Sequence, residues 1–344
     1  MKTAAVIAEY NPFHEGHAYQ LKTIRETTGC ECLVVILSAM FSQRGLPSLI
    51  SVEDKTRLAL EYGADLVIEL PVVYAAQSAD AFARNAIAPL ARLGVDTLCF
   101  GSETNDEAYL ESLLDQLDSV PVDPAASMAA NTSKYLGDLR PNDILGLQYI
   151  RHCKPFGIRP LPLQRVQSYK SATQTRADFF ARKEGQFLEQ YFLKEQRWDS
   201  YYPSLRLFLQ KSAPERLSSF FLVEEGIENR LIKNARRYTT WPEFLEASIS
   251  KTYTRARIQR TCLMMLLQIT KEQMRAFSEF DTVKVLGMNA IGQALLKEVK
   301  EQVPLAVRFE DLSPFLQEIE VKSRALYNSV LKTPVPAWRI IVKK

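Results

Sequence analysis

Four short apolar runs at residues 4–8, 32–37, 64–70 and 95–100 alternate with stretches at 17–27, 52–62, 78–93 and 106–117 whose apolar residues recur three and four apart. The runs are rich in Val, Ile and Leu and lack the polar alternation of a half-exposed strand, so they read as strands covered on both faces. The intervening stretches read as helices packed on a sheet. A strand–helix series of this kind predicts an α/β unit with a Rossmann-like, doubly wound parallel sheet, whose ligand sits beyond the C-terminal ends of the strands.

Further along, helical patterns are expected at 125–136 and 142–153. An extended Pro-containing segment at 157–166 is the expected fifth strand, leading to Ser171. From about residue 183 the pattern turns helical, with helix-period apolar residues at 184–196, 215–221, 226–237, 242–250 and 255–269. The 344 residues therefore divide into an α/β unit, 1–182, and a mainly α-helical unit, 183–344. With no repeats and no long Gly/Ser linker, the two are expected to pack closely.

Charge divides along the same lines. Residues 1–166 hold 14 Lys+Arg against 20 Asp+Glu, and the rest holds 29 against 20, a net −6 followed by +9. A positive field confined to one half suits a polyanion. Arg230, Lys233 and Arg237 recur at helical spacing with Arg236 adjacent, and Lys251, Tyr253, Arg255, Arg257 and Arg260 follow. Such a cluster can grip RNA phosphates and stack an aromatic on an unpaired base. The competing reading is a solvated helix face.

Other chemistries are disfavoured. The five cysteines, never spaced C-x-x-C, read as buried thiols, and three histidines are few for a metal centre. The N-terminus lacks a secretory pattern and no run of 18 uninterrupted apolar residues occurs, so a cytoplasmic protein without membrane contact is expected.

The chemistry concentrates in Asn11-Pro12-Phe13-His14-Glu15-Gly16-His17, between the first strand and the first helix. His14 and His17 lie three apart at a helix entry, so both rings can face one way. Gly16 admits a close phosphate, and the helix N-terminus contributes oriented N–H groups. The turn reads as a clamp for negative charge building on an α-phosphate and its leaving pyrophosphate.

Residues 4–17 resemble the H-x-G-H signature of the nucleotidylyltransferase superfamily, and the longer spelling from Ala8 to His17 resembles the bacterial tRNA(Met) cytidine acetate ligase family. Further matches follow in order at residues 41–47, 63–71, 100–103, 141–149, 165–166, 171–176, 225–230 and 253–257. The resemblance implies that ATP and acetate form acetyl-adenylate, and that the acetyl group passes to N4 of the wobble cytidine of elongator tRNA(Met). It implies that ATP is held by Ile7, Ala8, Glu9, Tyr10, Asn11, Pro12, Phe13, His14, Glu15, Gly16, His17, Ala18, Tyr19 and Gln20, with Gly101, Asn142, Arg165 and Val166. Catalysis would fall to His14 and His17. Ser171 and Thr173, at a helix start, are expected to hold phosphates from the opposite side. For Asn142, helix N-capping is an alternative role. Mg²⁺ is expected with ATP, without identified protein ligands.

Two rival readings share the turn. One is a small-molecule adenylyltransferase or cytidylyltransferase, which needs no basic half; the other is a non-catalytic tRNA-binding relative. The chain also departs from the family pattern, with Ser38-Ala39-Met40-Phe41 where S-G-N-F is usual and with short stretches at 103–142 and 165–171.

Overall fold

The computed structural model describes residues 1–118, 140–278 and 281–343. The helix expected at 125–136 lies outside them. Five parallel strands, β1 (Thr3–Ala8), β2 (Cys32–Ser38), β3 (Leu66–Leu70), β4 (Thr97–Ser102) and β5 (Arg159–Gln164), run in the order β5-β4-β1-β2-β3. β2 and β3 are buried along their whole length, as their unbroken apolar runs require. The first half supplies α1 (Glu15–Thr28), α2 (Val52–Glu61), α3 (Val72–Ala75), α4 (Ala79–Arg92), α5 (Glu107–Asp118) and α6 (Pro141–Cys153). Order reverses at β1, which pairs with β2 on one side and β4 on the other. That switch point opens a crevice above the strand ends.

The sheet is mixed, not parallel throughout. β6 (Val283–Met288) pairs antiparallel with β3, and the short β7 (Leu305–Ala306) and β8 (Ile341–Val342) pair with β6. The far C-terminal part thus returns to the sheet of the first half. Lys284 hides this strand from a reading of apolar runs. Its ammonium is buried between Glu69 and Glu320, 2.5 Å from the latter, and Arg324 links Glu320 (2.8 Å) to Glu53 (2.9 Å). Removing one member of such a buried network typically costs about 3–5 kcal/mol.

Between these parts lie α7 (Ala172–Phe180), α8 (Trp198–Lys211), α9 (Pro214–Ser218), α10 (Ile227–Arg237), α11 (Trp241–Ser248), α12 (Arg255–Leu267) and α13 (Lys271–Ala276); α14 (Ala290–Val299) and α15 (Pro314–Asn328) follow β6. The helix expected at 184–196 is absent. Only a 3-10 turn, Glu189–Tyr191, forms there, after Leu188 in the left-handed region at φ 58°. Leu193 N–H instead donates to Leu49 O at 2.8 Å, and Phe187, Phe192 and Leu193 pack on the core. Their helix-like spacing reflects a strap pressed against the core.

Candidate active site

β1 delivers the chain into the turn at the switch point. Tyr10 and Phe13 are buried and pack edge-to-face at 4.7 Å, and His17 lies 4.8 Å from Tyr10 and 5.6 Å from Phe13. Asn11 is spent on structure: its Oδ1 accepts from Leu49 N–H (2.8 Å) and Arg176 Nη1 (2.6 Å), and its Nδ2 donates to Pro47 O (3.2 Å). Pro12, Phe13, Glu15 and Ala18 shape this turn and helix entry without lining the cavity beside it.

His14 is the N-cap of α1. Its Nδ1 accepts from Gly16 N–H at 3.1 Å, and His17 Nδ1 accepts from His14 N–H at 3.2 Å. The rings stack at 3.7 Å between centroids. A Cβ on Gly16 would stand 2.9 Å from His14 Cε1, so glycine is needed here for the ring as much as for a ligand. Burial, and then the Arg165 guanidinium, push His14 down to about 4; burial, His14 and Arg165 hold His17 well below the usual histidine range. Both rings are therefore neutral at neutral pH. Because both Nδ1 atoms accept, each ring carries its proton on Nε2 and presents it as a donor.

A cavity of about 570 Å³ opens beside them. It gathers Ile7, Ala8, Glu9, Tyr10, Asn11, His14, Gly16, His17, Tyr19 and Gln20 with Gly101, Asn142, Arg165, Val166, Ser171 and Thr173. β4 and β5 end together, Arg165 N–H donating to Ser102 O at 3.0 Å. A Cβ on Gly101 would lie 3.3 Å from Arg165 Cγ, so the space above it carries Arg165. Asn142 does not cap α6, whose N-cap is Arg140; its amide donates to Glu103 Oε1 at 2.6 Å. Ser171 is the N-cap of α7, accepting from Gln174 N–H at 3.2 Å, and Thr173 lies in that helix's first turn.

Sequence reasoning assigned no site role to Gln43, Arg44, Glu103, Tyr149, Tyr169 or Arg176, which also line the cavity. Each lies in or beside a motif, but its role depends on contacts across the fold. Arg176 spans Asn11, Pro47 O (3.2 Å) and Gln196 O (3.3 Å); burial lowers it only to about 10, so it stays cationic. Burial pushes the Glu9 carboxyl up while Gln43 N–H donates to it at 2.6 Å. Ala39 and Met40, the departures from the family pattern, are buried and do not line the cavity.

A profile described as HIGH Nucleotidyl Transferase matches residues 1–337. The tRNA(Met) cytidine acetate ligase of Geobacillus sp. (strain WCH70) is 30% identical, covering 100% of this chain and 98% of its own. That of Bacillus subtilis (strain 168) is 32% identical, covering 97% and 94%.

The chain belongs to the tRNA(Met) cytidine acetate ligase family.

A Thermotoga maritima TmcAL crystal structure, bound with alpha-thio ATP, matches at a TM-score of 0.87 and 24% identity over all of both chains, which shows a shared fold. The basic half of the chain meets the cavity through the 41–47 loop. Gly45, at φ 73°, packs so closely on α12 that a Cβ would lie 2.9 Å from Arg260 N. Trp198 Nε1 donates to Gly45 O at 2.9 Å, and Arg44 in the same loop lines the cavity.

The cationic residues expected to meet RNA are placed unequally. Arg230, Lys233 and Arg237 form an exposed stripe on α10, with Arg236 beside it, and Lys251 is exposed too. Arg230 also donates to Ala247 O (3.1 Å) and Ile249 O (2.8 Å). Arg255 pairs with Glu246, Arg257 with Glu225 at 3.2 Å, and Arg260 is half-buried beneath the 41–47 loop. The stacking role expected of Tyr253 is corrected. Its ring is buried with Arg257 3.9 Å above it, and its hydroxyl donates to Glu224 O at 2.6 Å.

Among the described residues no group of three or more His, Cys, Asp or Glu is placed to hold a metal ion, and no helix is long and apolar enough to cross a membrane. All five cysteines are buried and free, as expected.

Proposed function

We propose that this chain binds ATP in the switch-point cavity, joins it to acetate as acetyl-adenylate with release of pyrophosphate, and transfers the acetyl group to N4 of the wobble cytidine of elongator tRNA(Met). The observation that carries this reading is the pair of neutral Nε2–H donors of His14 and His17 at a helix N-terminus, on a cavity of nucleotide size. The relatives' name, tRNA(Met) cytidine acetate ligase, supports acetate as the nucleophile and a tRNA(Met) cytidine as the acceptor.

In the first step an acetate oxygen attacks the α-phosphorus and the bond to pyrophosphate breaks. Acetate is already ionised at neutral pH, so the protein's task is positioning and neutralisation of charge. In this reading the Nε2–H groups of His14 and His17 meet the phosphate oxygens, joined by the N–H groups at the start of α1. Ser171, Thr173 and the α7 N-terminus face them, with Arg44 and Arg176 cationic nearby. Mg²⁺ bound with the triphosphate would neutralise its charge; among the described residues no group of three or more His, Cys, Asp or Glu is placed to hold it. In the second step the cytidine N4 attacks the acyl carbon, AMP departs, and the amine loses a proton. The α10 stripe provides sequence-independent grip on the tRNA backbone.

Incubation of the protein with ATP, labelled acetate and unmodified elongator tRNA(Met), followed by mass spectrometry of the digested RNA, tests the assignment. N4-acetylcytidine at the wobble position is expected. ATP turnover without acetylated RNA would favour a small-molecule nucleotidylyltransferase.

A further inference from the structure

One carboxylate oxygen holds together two residues of the cavity wall that come from different elements. Glu103, just past the end of β4, accepts at Oε1 from Asn142 Nδ2 (2.6 Å), at the start of α6, and from Arg165 Nη1 (2.9 Å), just past β5. Glu103 is itself held from behind. Its N–H donates to Asp143 Oδ1 at 3.1 Å, which also accepts from Ser102 Oγ at 2.5 Å, and Asp143 Oδ2 accepts from Thr104 Oγ1 at 2.7 Å. Gln164 Nε2 donates to Glu103 O at 3.4 Å.

We propose that Glu103 is the positioning residue of the nucleotide wall, setting the Asn142 amide and the Arg165 guanidinium in the arrangement that ATP requires. The inference rests on the ATP reading above. Three observations support it. Gly101 leaves Arg165 a path to Glu103, since a Cβ there would crowd Arg165 Cγ. Arg165 acts electrostatically on both His14 and His17, so the carboxylate that holds this cation in place ties the wall to the rings. Finally, Glu103 Oε2 is buried and has no hydrogen-bond partner among the described residues. That oxygen keeps lone pairs free for a donor that a bound nucleotide brings. Removing one partner of an enclosed ion pair usually destabilises, but the Arg165 side chain is 41% exposed and stays solvated without Glu103, so the loss of stability here should be small.

Stability and ligand binding should therefore move independently. The test is equilibrium ATP binding by titration calorimetry, with thermal melting, on the full chain and on Glu103→Gln, Arg165→Met and the double variant. Glu103→Gln is expected to stay folded and melt close to the parent, yet bind ATP at least tenfold more weakly. The double variant is expected to bind no more weakly than the weaker single, because both changes remove one interaction. ATP affinity within twofold of the parent, or losses that multiply in the double variant, would overturn the proposal. Should Glu103→Gln unfold, Glu103→Asp keeps the charge but draws the oxygen back by one methylene. Weakened ATP binding in that folded variant supports the role, and parent-like binding overturns it. A parent that binds ATP but leaves tRNA unacetylated would refute the acetyl-transfer reading while these affinities still decide the role of Glu103. A parent that does not bind ATP refutes both.

Discussion

His14 and His17 face each other at 3.7 Å, and the nitrogen that each ring turns toward the backbone is an acceptor. The backbone thereby chooses the tautomer. Both rings offer Nε2–H without needing to be charged, which suits a site that must receive a polyanion and release it again. An arriving triphosphate stabilises the imidazolium form, so bound ATP should raise both histidines from their depressed ligand-free state.

On the proposed mechanism, loss of either ring removes a donor aimed at developing charge. For His14→Ala and for His17→Ala, acetate-dependent ATP–pyrophosphate exchange should fall about 10²–10³-fold. His14→Ala also removes an N-cap, typically about 1 kcal/mol of stability, whereas His14→Asn retains an acceptor at that position. Denaturant unfolding separates the two effects: His14→Asn should be as inactive as His14→Ala but closer to the parent in stability. Exchange within tenfold of the parent in the folded variants would contradict the role.

The same histidines make stability depend on pH. His14 binds its proton near 6.5 when unfolded and near 4 when folded, and His17 is displaced in the same direction. Between those values the unfolded chain holds more protons, so stability rises with pH from about 4 to 6.5 and is lost on acidification through that window. Denaturant midpoints across this range should show a shallower slope for His14→Gln than for the parent.

Lys55 supplies a second, separate window. Its buried ammonium donates to Glu9 O (3.0 Å), Ser38 O (2.7 Å) and Ala39 O (2.5 Å), fastening the ends of β1 and β2. Burial lowers it to about 7 from an ordinary value of 10.5. The unfolded chain again holds more protons between these values, so the Lys55 contribution to stability grows as pH rises above about 7. One proton limits the slope to about 1.4 kcal/mol per pH unit. The slope from pH 7 to 9 should flatten in Lys55→Met, at the cost of a lower overall midpoint from three carbonyls left unpaired.

These groups show where sequence reasoning succeeds and where it stops. The strands β1 to β4 and the helices α1, α2, α4, α5 and α6 were legible because their apolar patterns are local, and β5 because its Pro-containing segment reads as extended. So was the placement of His14 and His17 together beside a cavity, written in seven adjacent residues. β6 was not, because Lys284 breaks its apolar run and makes sense only beside Glu69 and Glu320. Residues 184–196 have helical spacing but are drawn onto the core as a strap. Glu103 and Arg176 acquire roles only when β4, β5, α6 and α7 meet. Tyr253 looked like a stacking residue because sequence does not reveal that Arg257 and Glu224 already occupy it.

The α10 stripe should contribute to RNA affinity through phosphate contacts. Reversing Arg230, Lys233 and Arg237 together to Glu should weaken binding of elongator tRNA(Met) and reduce the magnitude of its salt slope by about 0.7–0.9 per lost contact. Filter binding from 50 to 200 mM salt measures both. Because Arg230 also caps backbone carbonyls near the end of α11, Lys233→Glu/Arg237→Glu serves as the milder variant. An unchanged slope in both would place the tRNA elsewhere.

The central claim, that acetate attacks ATP before its acetyl group reaches RNA, has an isotopic test. With ¹⁸O-labelled acetate, ATP and elongator tRNA(Met), the oxygen that joins acetate to the α-phosphorus stays with phosphorus when the cytidine amine takes the acyl carbon. Mass spectrometry of the released AMP should find one ¹⁸O per acetylcytidine formed. Acetylated RNA accompanied by unlabelled AMP would contradict the account.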